Sequence, residues 1–239
     1  MKQKLVSEWY ENKAHVEEMR AWNKGCLKQW EQSVADRFPQ SAKVLDIGCG
    51  MGREAFLLSK RGFSVVGLDI SEEVIRGARE LAKENGIDLP FLCYDGKTLP
   101  FDDARFDVTV VWSQTFGLLY GEAYRESFLK ECRRVLKPGG LLSFSAHDHA
   151  FLAEHYPDYL KERRFFPYAS GDIYWESYLP EELTFHARHA GFSTLLCERG
   201  AIYKPEDGVI LHCLCRKPSD LIVPEQASTG EETIDGLFS

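Results

Sequence analysis

Apolar residues recur at helical spacing early in the chain, at Met19, Trp22, Cys26, Trp30 and Val34, which predicts a helix or two carrying one apolar stripe between 9 and 38. Pro39-Gln40-Ser41 ends that period. Short apolar runs then alternate with amphipathic stretches. Strands are expected over 43–47, 63–69 and from Phe91, and helices over 53–60 and 71–85, with Gly86 as a stop. The fourth strand, 106–112, follows the third after only 95–105, too short a connection for a crossover helix of the usual length. A helix over about 121–136, a strand over 141–146, a helix opened by Pro180 and closed by Gly191, and strands over 193–198 and 209–215 complete the pattern. This is the order of a doubly wound α/β sheet.

The junction after the first strand, Lys43-Val44-Leu45-Asp46-Ile47-Gly48-Cys49-Gly50-Met51-Gly52-Arg53-Glu54, joins a buried strand to a helix through three glycines. Glycine lets the backbone turn sharply and approach a ligand, and the helix start offers unpaired amides. Two acids sharpen the pattern: Asp46, just before the loop, and Asp69, at the end of the next apolar run. Ligands of open α/β sheets sit outside the carboxyl ends of the strands, so Asp69 is placed to accept hydrogen bonds from both hydroxyls of a ribose. A dinucleotide fingerprint would need its third glycine at 53, and 53 is Arg.

The spacing G-x-G-x-G after an acid resembles the class I S-adenosylmethionine (SAM)-dependent methyltransferases of the small-molecule, type 11/25-like branch. Further motifs follow in order: Phe91-Leu92-Cys93-Tyr94-Asp95-Gly96, the strand Phe106-Asp107-Val108-Thr109-Val110-Val111-Trp112, and Glu131-Cys132-Arg133-Arg134-Val135-Leu136-Lys137-Pro138-Gly139-Gly140. The resemblance implies a seven-stranded, mostly parallel sheet whose last two strands pair antiparallel, with SAM as cofactor. It assigns Asp46, Gly48, Cys49, Gly50, Gly52, Arg53, Asp69, Ile70, Asp95, Gly96 and Ser113 to the cofactor site. Within that set Asp69 is expected on the ribose, Asp95 on the adenine amino group, and the glycines near the methionine and ribose. Arg53 either counters the SAM carboxylate or faces solvent on its helix. Tyr10 is expected to close over the cofactor as part of an N-terminal lid.

Methyl transfer from a sulfonium is an in-line displacement, so the protein's main task is to align acceptor, methyl and sulfur and to exclude water. His147, just past the fifth strand, is the first candidate base, because histidine can titrate near neutrality. Gln114, after the fourth strand, is a candidate acceptor-orienting group; it stands where base-methylating relatives carry an Asn- or Asp-Pro-Pro-Tyr motif, which is absent here. His147-Asp148-His149 suggests a metal only weakly, because neighbours in an extended chain point to opposite sides. Cys213-x-Cys215 lacks the second pair a zinc site needs, so no metal is expected.

Composition then bounds the partners. The chain has 239 residues, 44% hydrophobic and 28% charged, enough for one well-buried domain with additions. Three parts are expected: a helical cap over 1–40, a SAM-binding domain over 41–217, and an acidic disordered tail over 218–239. Five acids and no Lys or Arg lie after Lys217, so the body of a chain of net charge −8 is nearly neutral, which disfavours DNA or structured RNA as substrate. Seven scattered cysteines imply no disulfide framework, and no apolar run suggests a membrane span or signal peptide, so a cytoplasmic setting is expected. Between the fifth strand and the Pro180 helix, 147–179 holds nine aromatic residues, among them Phe165, Tyr168 and Trp175. Such a segment encloses an acceptor, packs onto the domain, or does both. The expected partner is a small-molecule acceptor. A protein or RNA acceptor, or a non-catalytic SAM-binding regulator, is the alternative.

Overall fold

The structure, a computed structural model, describes residues 2–12, 20, 25–169, 171–202 and 208–219. Its helices are α1 (Lys2–Tyr10), α2 (Gln29–Ala35), α3 (Arg53–Lys60), α4 (Glu72–Glu84), α5 (Glu122–Val135), α6 (His149–His155) and α7 (Pro180–His189). The strands are β1 (Lys43–Ile47), β2 (Ser64–Asp69), β3 (Phe91–Cys93), β4 (Phe106–Val111), β5 (Leu136–Asp148), β6 (Leu160–Lys161), β7 (Arg164–Phe165), β8 (Trp175–Tyr178), β9 (Ser193–Ala201) and β10 (Val209–Arg216).

A path β3-β2-β1-β4-β5 is parallel throughout, and β10 then pairs antiparallel with both β5 and β9. These are the seven strands expected, and among the described residues the aromatic insertion links three more, β6, β7 and β8, to them. β8 joins by pairing with the end of β5, His147 against Ser177 and Asp148 against Tyr178.

Alternation along the strands separates two cores. Val44, Val65, Val108, Val110, Ile210 and Leu214 pack under α2, α3 and α4. Leu45, Ile47, Leu68, Val111, Phe144, Leu211 and Cys213 pack under α5 and α7. Helices therefore cover both faces, the doubly wound arrangement the sequence pattern implied.

Several expectations change in detail. β5 begins at Leu136 and runs through the Pro138-Gly139-Gly140 turn, where the register with β4 shifts, instead of starting at 141. The expected N-terminal stripe is interrupted: Cys26 is exposed and α2 starts only at Gln29, while Trp30 and Val34 are buried as the spacing implied. Met19 and Trp22 lie outside the described residues, as does the expected acidic tail from 220 onward. Cys213 sits opposite Cys197 across β9 and β10, with the sulfurs 2.7 Å apart, and Cys215 faces Thr194.

Candidate active site

A cavity of about 770 Å³ opens at the carboxyl ends of β1, β2, β4 and β5. Its floor is the first glycine loop. The amides of Gly48 and Cys49 donate to the Leu68 carbonyl at 2.7 and 3.1 Å, which folds the loop back over β2. At φ +73°, a Cβ on Gly48 would lie 2.5 Å from Thr115 Cγ2, so only glycine lets the loop pass under the β4 loop. The Gly50 amide donates to Asp69 Oδ2 at 3.0 Å, and the Ser71 amide donates to Asp69 Oδ1 at 3.1 Å. Burial pushes the Asp69 carboxyl above its usual range, against those two amides and that of Ile70.

Beyond β4 the chain makes an unusual turn. Ser113 and Gln114 both have left-handed backbone conformations, at φ +51° and +60°. Strain of this kind, of the order of 1–3 kcal/mol per residue, persists only where its surroundings enforce it and clusters at functional sites. Here the Gln114 amide donates to Ser145 Oγ at 3.2 Å, and Ser113 Oγ donates to Glu54 Oε1 at 2.6 Å. Gln114 is among the residues that line the cavity, and its Nε2 is buried with no hydrogen-bond partner.

A charged cluster borders the loop. Arg53 donates to both oxygens of Glu31, at 3.1 and 2.7 Å, and also pairs with Glu54. Lys28 Nζ lies 3.4 Å from Glu31, whose side chain is fully buried. Burial pushes Glu54 up, but Arg53, Lys28 and the Ser113 hydroxyl more than offset it and leave its carboxyl below the ordinary value.

The remaining wall comes from the N-terminal segment and the insertion. Val6, Trp9 and Tyr10 of α1 meet Tyr168 and Trp175, with the rings of Trp9 and Tyr168 4.9 Å apart. The Tyr10 carbonyl accepts from Ser71 Oγ at 3.3 Å, tying α1 to the start of α4. Burial, then the charge of Asp69, raises the Tyr10 phenol above its ordinary value. Phe165, Pro167 and Ile202 complete the enclosure.

Gly48, Cys49, Gly50, Arg53, Asp69, Ile70, Ser113, Gln114, His147 and Tyr10 all line this cavity. Asp46, Gly52, Asp95 and Gly96 do not. Asp46 points to the other face of β1, where burial and then Glu54 raise its carboxyl well above the usual range. Gly52 is a packing glycine: a Cβ there would lie 2.7 Å from the Phe91 ring. Asp95 is exposed, and its Oδ1 accepts the amides of Lys97 and Thr98 at 2.8 and 3.2 Å, which caps its own turn. The Gly96 carbonyl accepts from the Tyr124 hydroxyl, and it is Tyr124, with Tyr94, that reaches the cavity.

Two further expectations are corrected, those for Arg53 and His147. Arg53 does not face solvent; its side chain is 11% exposed and held by carboxylates. His147 does not titrate near neutrality, because burial and then the charge of Lys28 lower it to about 4. His147, Asp148 and His149 serve three different settings: His147 meets Phe165 and Trp175 edge-on, Asp148 accepts the Ala150 and Phe151 amides and pairs with Arg199, and His149 Nδ1 is 2.9 Å from Ser177 Oγ. Among the described residues no cluster of His, Cys, Asp or Glu is arranged to hold a metal ion.

Lys28, Glu31, Glu54, Tyr94 and Tyr124 carry much of this geometry and were missed in the sequence. Glu54 was the one within reach, since it closes the glycine motif.

Residues 44–140 match the family model of the methyltransferase domain. A ubiquinone biosynthesis O-methyltransferase of Coxiella burnetii is 30% identical over 202 residues, 84% of this chain and 83% of its own length. The Bacillus subtilis protein YqeM is 32% identical over 130 residues, 54% of this chain and 52% of its own, so that match spans about half of that relative. A SAM-dependent methyltransferase from Methanosarcina mazei superposes with a TM-score of 0.71 over 82% of this chain and all of that one, at 21% identity, a likeness of fold. The chain belongs to the class I SAM-dependent methyltransferases. It is an enzyme of that family and uses SAM as its cofactor.

Proposed function

We propose that the cavity carries a methyl group from SAM to a small-molecule acceptor held against the insertion. The observation that carries this reading is the enclosure itself. About 770 Å³ is closed by α1 and the insertion through Trp9, Tyr10, Tyr168 and Trp175, a volume suited to a cofactor with a compact acceptor. The Coxiella relative, named for O-methylation in ubiquinone biosynthesis, supports a small acceptor. A cytoplasmic setting belongs to the same proposal and is supported by seven free cysteines.

The residues present fit SAM: Gly48 leaves room that a Cβ would fill, and Asp69 offers carboxylate lone pairs at the loop. Bound SAM supplies an electrophilic methyl group on a positively charged sulfur. Asp69 would accept from the ribose hydroxyls, and the loop Gly48-Cys49-Gly50 would pass beside the amino-acid end. Ile70 and Tyr94 would flank the base, the part assigned in the sequence to Asp95 and Gly96. Glu54, charged and bonded to Ser113, would face the cationic end of the cofactor, with Arg53 holding it in place. Trp9 and Tyr10 would exclude water and keep the aligned groups in contact. Gln114 Nε2, buried without a partner, would donate to the acceptor.

Incubating the protein with methyl-labelled SAM and a cell extract split by size tests the acceptor class. Label is expected in the metabolite fraction. Label confined to protein or RNA would overturn the small-molecule reading, and tight SAM binding with no label in either fraction would favour a regulator.

A further inference from the structure

We infer that Cys197 and Cys213 form a modification site, a pair of thiols that a hydroperoxide closes to a reversible disulfide, stapling β9 to β10. Neither residue lines the cavity, so the inference stands apart from the methyl-transfer reading.

The two strands set the pair up. β9 and β10 run antiparallel with Cys197 directly opposite Cys213, so both side chains leave the same face of the sheet. Opposed residues of an antiparallel pair keep their Cα atoms about 4.5–5.5 Å apart, within the span of about 4.4–6.8 Å that a disulfide bridges. The sulfurs are 2.7 Å apart, with the Cys213 thiol donating to Cys197. Joining them therefore needs an adjustment of side chains and no movement of either strand. Two thiolates on one zinc ion would stand about 3.8 Å apart, and among the described residues no cluster supplies further ligands. The spacing suits a sulfur–sulfur bond better than a metal.

The two cysteines also differ in the way the chemistry requires. Cys213 is fully buried, whereas Cys197 is only partly covered. The hydrogen bond from Cys213 lowers the Cys197 thiol from its ordinary value, outweighing burial and the charges of Glu198 and Glu181, and the same bond raises Cys213. The thiolate is the nucleophile, so Cys197 attacks first and Cys213 follows. Burial instead raises the thiols of Cys49, Cys93, Cys132 and Cys215.

In the first step the Cys197 thiolate takes an oxygen from the hydroperoxide. The O–O bond breaks, Cys197 becomes a sulfenic acid, and the proton it lost completes the departing alcohol. The Cys213 sulfur then attacks the Cys197 sulfur. The S–S bond forms, the S–O bond breaks, and the hydroxyl leaves as water with the proton of Cys213. Two thiols are oxidised to one disulfide while the hydroperoxide is reduced to an alcohol and water. A thiol reductant reverses the bond by exchange. The closed loop contains Ile202 of the cavity wall and Ile210, which pairs with His147 on β5, so the staple lies between the sheet edge and the site.

The test uses the full chain, treated with an equimolar amount of hydrogen peroxide, blocked by alkylation and mapped by mass spectrometry without reduction. The chain is expected to lose two hydrogens, to give a peptide pair joined from Cys197 to Cys213, and to regain both thiols in dithiothreitol. Cys213→Ala should leave Cys197 as a sulfenic acid that dimedone traps, and Cys197→Ser should leave Cys213 reduced. Oxidation confined to Cys26, the exposed cysteine, would mean that access alone governs reactivity and overturns the proposal. A bond between other cysteines, or seven free thiols after treatment, overturns it as well. Oxidation of Cys213 in Cys197→Ser overturns the order of attack. Should either variant not fold, the wild-type map decides alone.

Discussion

His147 sits in the cavity as a neutral ring, and its titration has a consequence for stability. Burial, then Lys28, moves it from 6.5 to about 4, so between those values the unfolded chain binds more protons than the folded one. Stability from this group is therefore complete above about pH 6.5 and is lost as pH falls toward 4, by about 3 kcal/mol. His147→Gln cannot bind that proton. The difference in unfolding free energy between wild type and His147→Gln should shrink in wild type's disfavour by about that amount across the window, and a constant difference would contradict the assignment. Gly48 makes a second residue-scale prediction. Alanine there would place a Cβ 2.5 Å from Thr115 Cγ2 at φ +73°, which should destabilise by about 1–3 kcal/mol in urea unfolding and weaken SAM binding.

Among the elements, α1 and α2 each rest on a few identifiable contacts. Ser71 caps α4 by accepting from the Val74 amide and at the same time donates to the Tyr10 carbonyl. Ser71→Ala should cost about 1 kcal/mol as a lost cap and should also loosen α1 over the cavity, seen as faster amide exchange in 6–12. Trp30 of α2 packs edge-on to Trp112 and stacks on His212 at 4.8 Å, while Gly200 leaves it room. Trp30→Ala should cost about 3–5 kcal/mol. Helices α4 and α7 were legible because their apolar periods coincide with a Ser cap or a Pro start and with a Gly stop, and α3 and α5 because they follow strands in the alternating pattern. The short strands β6 to β8 were not legible, because two-residue pairings carry no period; they form where the insertion folds back on the end of β5.

At the scale of the whole molecule, strand order decides where chemistry can occur. Parallel β1, β2, β4 and β5 all end at one edge, so the glycine loop, Asp69, Ser113-Gln114 and His147 converge although they are spread over about a hundred residues. That convergence was legible in the motif order. Three things were not. Asp46 lies off the cavity lining because strand alternation turns it away from Ile47's side, Asp95 because an exposed turn takes up its carboxylate, and Lys28 and Glu31 went unnoticed because nothing in the sequence links them to Arg53. Exposure and ion pairing across elements are properties of the fold. The central claim is that this one cavity binds SAM through Asp69, and a calorimetric titration of wild type and Asp69→Ala with SAM tests it most directly, with circular dichroism to confirm folding. Wild type is expected to bind with one site and the variant at least about ten-fold more weakly, the loss of a charge-assisted hydrogen bond. Unchanged affinity in a folded Asp69→Ala protein would contradict it.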